Sequence, residues 1–324
     1  MYIEQAYKGL HEWWRYTLGV LIIFIAWQFI GMIPLGVAIV LKSFGAEGAN
    51  IPSDISEIMD LLGSNLFLFL MLLSFAVGLF GVFVTSKSLH KLSILKLTTT
   101  RNKIDWGRFW FIFIFWGIVS SSFVLVDYYF NPLEYEFNFN LQPFLILLVI
   151  AVLLIPLQTS FEEYFFRGYL MQGFGVVIKN KWAPLLITSI GFGLMHIANP
   201  EVEKLGYVIM VYYIGTGLFL GIITLMDEGL ELALGFHAAN NLFTALLVTA
   251  DWTAFQTHSI LTDLSDPSEM GLMEIFIPVF VVFPVLLFTL SKKYNWTNWK
   301  SKLLGDVILP SDTNEIGNNN KVSD

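Results

Sequence analysis

The chain of 324 residues contains no cysteine. That excludes disulfides, cysteine nucleophiles, thiolate-ligated zinc and lipidation of the chain's own cysteines. Charge is also scarce. Charged residues make up 14% of the sequence, where a soluble domain carries about 25%. Lys and Arg nowhere form the dense basic patch that a nucleic-acid-binding surface needs, so no nucleic-acid partner is expected. A cleavable secretory signal is missing too. The first apolar run, about Tyr16 to Leu41, is too long for a signal core and lacks a small-residue cleavage site, so it reads as a retained first span. There is no internal repeat and no sign of a second, soluble domain.

What the sequence does have is apolar length. Hydrophobic residues reach 56% and the mean hydropathy is +0.67, values that belong to an integral membrane protein in contact with the lipid bilayer. A spanning helix needs ~20 apolar residues. Eight stretches qualify: about 17–41, 63–85, 107–128, 143–178, 183–198, 205–226, 230–249 and 271–291. The expected fold is therefore all-α, a polytopic transmembrane helix bundle of about eight spans. The fourth stretch is too long for one straight crossing. With Pro156 inside it, the stretch either kinks there or breaks into a span and a second piece.

The loops assign an orientation by their Lys and Arg content. Lys87, Lys91, Lys96, Arg101, Lys103 and Arg108 lie between spans two and three; Lys179 and Lys181 follow span four; Lys292, Lys293, Lys300 and Lys302 follow span eight. The alternate loops carry Asp54, Glu57 and Asp60, then Asp127, Glu134 and Glu136, then Asp251, Asp263 and Asp266. Both termini are expected in the cytoplasm. The organisation is then a cytoplasmic segment 1–16, a transmembrane domain 17–292 and a cytoplasmic, partly disordered tail 293–324. The acidic turn at Asp227 and Glu228 falls on the cytoplasmic side and fits the charge rule poorly. Gly217 and Gly221 form a small-xxx-small pair, read as a close helix contact.

Against this background, ionisable residues inside the spans stand out, because each costs at least ~2.5–3.5 kcal/mol to insert. Glu162, Glu163 and Arg167 lie inside the fourth stretch, His196 in the fifth, and His237 with Asn241 in the seventh. Glu163 and Arg167, Phe192 and His196, and His237 and Asn241 are each spaced i,i+4 and so share helix faces. If spans four and five form a hairpin turning near Asn180, Glu162 and His196 both lie ~25 Å from the turn. A glutamate and a neutral histidine can share deprotonation of one water, and a second histidine with an amide can bind an oxyanion. Those are the parts that amide hydrolysis needs. The blander readings are an ion pair that merely permits burial, a hydrogen-bonded packing histidine and an asparagine that joins helices.

Glu162-Glu163-x-x-x-Arg167, Phe192-x-x-x-His196 and His237-x-x-x-Asn241 together resemble the three signature motifs of the CPBP (Abi) family of intramembrane proteases. That family includes the type II CAAX prenyl endopeptidases and bacterial homologues linked to bacteriocin immunity. The resemblance covers about 158–245 and implies a bacterial plasma-membrane endopeptidase acting on a membrane-associated protein or peptide. It implies Glu162 as general base assisted by His196, His237 and Asn241 as oxyanion donors, Glu163 and Arg167 as supports, and Phe192 as a shaping residue. Whether the substrate is prenylated does not follow. There is no HExxH, GxSG or GxGD motif for other intramembrane protease designs. No cofactor is expected, with Zn2+ on Glu162, His196 and His237 as the alternative. The rival readings are a proton-coupled transporter and a non-catalytic scaffold or immunity protein.

Overall fold

The computed structural model of the chain describes residues 1–45, 52, 54–267 and 271–309. The remaining tail, for which disorder is expected, lies outside the described residues.

Among the described residues the bundle consists of eight principal helices. They are α1 (Trp13–Phe44), α2 (Ser64–Ser88), α3 (Trp106–Phe130), α4 (Leu141–Ile178), α5 (Trp182–Leu194), α6 (Tyr207–Asp227), α7 (Glu231–Leu247) and α8 (Leu272–Tyr294). Six of them are long and apolar enough to cross a membrane; α5 is apolar but has only 13 residues. The expected count of about eight is met, and the expected fifth span is corrected. It ends at Leu194, so His196 sits in the turn beyond the helix rather than within it.

Helix α4 is neither broken nor interrupted at Pro156. It runs for 38 residues, about 57 Å of helix. The missing Pro156 N–H removes one backbone bond, and the register changes further on, in a π-helical stretch over Tyr164–Leu170. The extra residue in that wide turn re-aims everything after Glu163. A matching π-helical stretch, Ile25–Ile30, interrupts α1. Trp27 of that stretch packs on Phe161, just before the π-helical part of α4, with ring centres 5.0 Å apart.

The Lys- and Arg-bearing loops gather at one end of the bundle. Arg101 pairs with Asp227 at 3.0 Å and with Glu231 at 3.1 Å, and Arg108 pairs with Asp227 at 2.5 Å. Trp296 Nε1 donates to the same aspartate at 3.1 Å. The acidic turn that fitted the charge rule poorly is thus the buried counter-charge of the basic loop. The N-terminal segment is tied in there too. Leu10 N donates to His90 O, and His90 Nδ1 lies 2.7 Å from Leu10 O. Burial pushes the His90 imidazole below its usual range, so it serves as a neutral hydrogen-bonding group.

The opposite end carries the acidic loops and a three-stranded sheet. Strands β1 (Tyr135–Phe137), β2 (Val248–Thr249) and β3 (Leu261–Asp263) are ordered β1-β3-β2, with β1 antiparallel and β2 parallel to β3.

Helices α5 and α6 touch through glycines. A Cβ on Gly217 would stand 2.7 Å from the Ser189 carbonyl oxygen, and one on Gly221 would stand 2.5 Å from Leu185. The expected close contact is present. Because the Ser189 obstacle is backbone, Gly217→Ala should cost ~1–3 kcal/mol. Gly36→Ala, which meets nothing within 4 Å, should leave the melting temperature of the detergent-solubilised protein unchanged. Equal melting of the two variants would show that the α5–α6 contact is not tight.

Candidate active site

At the middle of the bundle, Glu163 and Arg167 are both fully buried. Arg167 Nη1 donates to Glu163 Oε1 at 2.9 Å and Nη2 donates to the Gly217 carbonyl at 3.1 Å. The guanidinium lies 4.3 Å from the centre of the Phe192 ring, a cation–π contact strengthened by the absence of water. One residue group on α4 therefore grips α5, α6 and, through His237, α7.

His237 bridges the two glutamates. Its Nδ1 is 2.8 Å from Glu163 Oε1 and its Nε2 is 3.4 Å from Glu162 Oε2. A carboxylate paired with arginine only accepts hydrogen bonds, so Nδ1 carries the hydrogen on that side. This fixes the tautomer and aims Nε2 at Glu162. Glu162 Oε1 accepts from Gln158 Nε2 at 2.6 Å, and Gln158 Oε1 accepts from Asn241 Nδ2 at 3.2 Å. Asn240 continues the chain, donating to Asn241 Oδ1 at 3.2 Å and accepting from Trp116 Nε1 at 3.1 Å. The other Glu162 oxygen, Oε2, is buried without a hydrogen-bond partner.

Glu162, Asn241, Gln158 and His196 line one cavity of about 380 Å³. His196 Nδ1 is 2.8 Å from the Phe192 carbonyl and its ring stacks on Tyr213 with centroids 4.4 Å apart. A carbonyl only accepts, so His196 also carries its hydrogen on Nδ1, leaving Nε2 as an acceptor. Trp27, Phe75 and Met195 add apolar wall. His237 stands behind Glu162, outside the lining. Gln158, Tyr213 and Asn240 did not emerge from the sequence. Gln158 precedes Glu162 by one helical turn, so the same i,i+4 test finds it. Tyr213 and Asn240 carry no charge at neutral pH to mark them.

Among the described residues no group of three or more His, Asp or Glu side chains could hold a metal ion. Of the set Glu162, His196 and His237, both histidines engage an oxygen acceptor through Nδ1 and leave Nε2 open, but only Glu162 and His196 line the cavity.

A family model described as type II CAAX prenyl endopeptidase Rce1-like matches residues 141–243. An uncharacterized protein of Bacillus subtilis (strain 168), YyaK, is 31% identical over 243 residues, covering 75% of this chain and 80% of its own length. The chain belongs to the CPBP family. It is an integral membrane protein of a peptidase family, and the matched region spans α4 to most of α7, the helices that carry the site. No solved structure matches it.

The two adjacent glutamates differ in what holds them. Arg167→Met leaves Glu163 as an uncompensated buried charge, which should cost ~3–5 kcal/mol. Glu162→Gln, at the cavity wall, should stay within ~1 kcal/mol of wild type. Adding Glu163→Gln to Arg167→Met should restore part of the loss. Thermal unfolding in detergent reads all three, and equal destabilisation by Arg167→Met and Glu162→Gln would refute the distinction.

Proposed function

We propose that the protein is an intramembrane endopeptidase that hydrolyses a peptide bond in a membrane-associated protein or peptide without a metal ion. The observation that supports this most directly is the shared cavity. Glu162, one of whose oxygens has no hydrogen-bond partner, and His196, which keeps an acceptor nitrogen, line the same cavity, and its 380 Å³ is roomy enough for water and an extended backbone.

In this reading a water molecule lies between Glu162 and His196. Glu162 takes its proton as the oxygen attacks the substrate carbonyl, with His196 accepting the second water hydrogen bond. Negative charge grows on the carbonyl oxygen, and Asn241 Nδ2 supplies a hydrogen bond to it; His237, with its hydrogen on Nδ1 and its place behind Glu162, accepts at Nε2 from Glu162 once that carboxyl has taken the proton, instead of donating to the oxyanion. The proton held by Glu162 then passes to the amide nitrogen as the C–N bond breaks. The products are a carboxylic acid and an amine, equivalent to a carboxylate and an ammonium group once the remaining proton moves between them, so one water is consumed and Glu162 returns to its starting state. Glu163 and Arg167 do not touch the reacting atoms. Their part is to hold His237 in one tautomer and one orientation. The low dielectric of the bundle interior strengthens each of these contacts.

The basic end of the bundle is assigned to the cytoplasm by the positive-inside rule, which puts both termini there. The host membrane in this reading is a bacterial plasma membrane.

Loss of a general acid–base group costs roughly 10²–10⁴-fold in rate. Glu162→Gln should therefore abolish detectable cleavage of membrane proteins in cells expressing it, while the purified variant remains folded. His237→Ala should do the same. Comparing the membrane proteomes of wild-type and Glu162→Gln cells checks the claim and exposes the substrate by its uncleaved form. Strong chelators should leave activity unchanged, with no stoichiometric zinc by elemental analysis. Full activity of Glu162→Gln would end the proposal.

A further inference from the structure

A peptide and a water must reach Glu162 from one side of the membrane, and the two sides of the site differ. The plane of Glu163, Gly217 and His237 is central in the bundle. At 1.5 Å per residue, Asp227 lies ~15 Å from Gly217 along α6 in one direction, and Tyr207 lies ~15 Å from it in the other. Helix α7 similarly extends ~15 Å from His237 to Leu247.

Toward the basic end the site is closed. Arg167, Phe166 and Phe192 are buried against one another. Behind them Tyr164 shares a hydrogen bond with Thr98, and Leu97 and Leu230 are buried. Toward the acidic end it is open. Helix α5 stops at Leu194, just past the level of Phe192, so the last part of a normal crossing is missing there. The cavity occupies that region, and its wall continues along α7 through the exposed Thr244 to Thr249, Thr253 and Asp263 beside the small sheet.

Charge divides the same way. At the open end the described basic residues are Lys42 and Lys204, facing carboxylates in every loop, among them Asp54, Asp127, Glu134, Glu201 and Asp251. The cavity lining itself holds three carboxylates, Glu162, Glu201 and Asp263, and no Lys or Arg. One Glu201 oxygen is fixed by the Ala254 N–H and the other has no hydrogen-bond partner. Such a lining offers no cation to a substrate's terminal carboxylate and repels acidic side chains.

We propose that the site takes its substrate from the extracytoplasmic side of the membrane, as a polypeptide segment that is neutral or cationic around the bond to be cut. The substrate assignment rests on the endopeptidase reading; the side of access does not.

The absence of native cysteine allows a direct test. Thr244→Cys and Thr253→Cys place single thiols inside and at the mouth of the cavity, and Lys103→Cys places one at the basic end. Each is exposed in intact cells to a membrane-impermeant maleimide, with labelling in detergent giving the total. The two threonine positions should reach about five times or more the labelled fraction of Lys103→Cys, which should react only after permeabilisation. Labelling of Lys103→Cys in intact cells, or of Thr244→Cys from the cytoplasmic side alone, overturns the proposal. A hydrophobic peptide flanked by lysines, added outside, should slow labelling of Thr244→Cys about fivefold, and its aspartate-flanked counterpart should not. Equal protection by both peptides overturns the charge preference. None of these readouts needs turnover. If Glu162→Gln kept full cleavage while the labelling pattern held, the chemistry would fail and the side of access would stand.

Discussion

The interior of this bundle depends on one ion pair. Glu163 and Arg167 are completely shielded from solvent, and taking two ions out of water costs several kcal/mol each unless close geometry and further hydrogen bonds compensate. The compensation recruits every helix of the site. Arg167 reaches the Gly217 carbonyl on α6 and lies on the Phe192 ring of α5, while Glu163 takes a second hydrogen bond from His237 of α7. The glycine is a condition of this arrangement. Any side chain at 217 would strike the Ser189 backbone and hold α6 away from the guanidinium. Positioning of His237 is therefore a by-product of solving a burial problem: the contacts that make the fold possible also fix its orientation toward Glu162.

That arrangement leaves Glu162 free to differ from its neighbour. Adjacent residues on a helix point about 100° apart, so with Glu163 facing the helix interfaces, Glu162 faces the cavity. The π-helical turn that begins at Tyr164 lets the following residues rotate away from the register of the first part of α4. Two local irregularities, this turn and the early end of α5, together open space beside a carboxylate without exposing the ion pair. A regular span in either place would fill the cavity with side chains or remove Phe192 from Arg167.

Much of the bundle was legible in the sequence because lipid imposes a simple rule. Long apolar runs become helices, and α1 to α4, α6 and α8 follow from length alone. Spacing along a helix was equally readable, so Glu163 and Arg167 meet as i,i+4 neighbours should. Helix ends inside the membrane were not. Phe192 to His196 continues an apolar pattern, and nothing in composition marks the stop at Leu194, which is set by the turn leading to the short helix Pro200–Leu205. Tyr213 and Trp27 were invisible as site residues because their contribution is shape, and an aromatic residue in an apolar span is ordinary. The small sheet was also missed. Its strands are two or three residues long, and β1 pairs with a segment more than a hundred residues away.

The turn at Asp227 shows why charge must be read by partner rather than by sum. Counted alone, that loop is acidic on a side where basic residues gather. In the folded chain its aspartate is nearly buried and takes Arg101, Arg108 and Trp296, while Glu231 takes the remaining face of Arg101. The carboxylates neutralise a loop that crosses back over the ends of α6 and α7, so they belong to the packing of that end and not to its surface. Orientation depends on Lys and Arg, with acidic residues contributing little, and the two observations agree once this is recognised. The same network fastens the 94–105 segment over the helix ends, with Thr98 bonded to Tyr164 immediately beside Glu163. A cluster that looked like an exception to topology is thus the closure of one side of the site, and it leaves the acidic side as the way in.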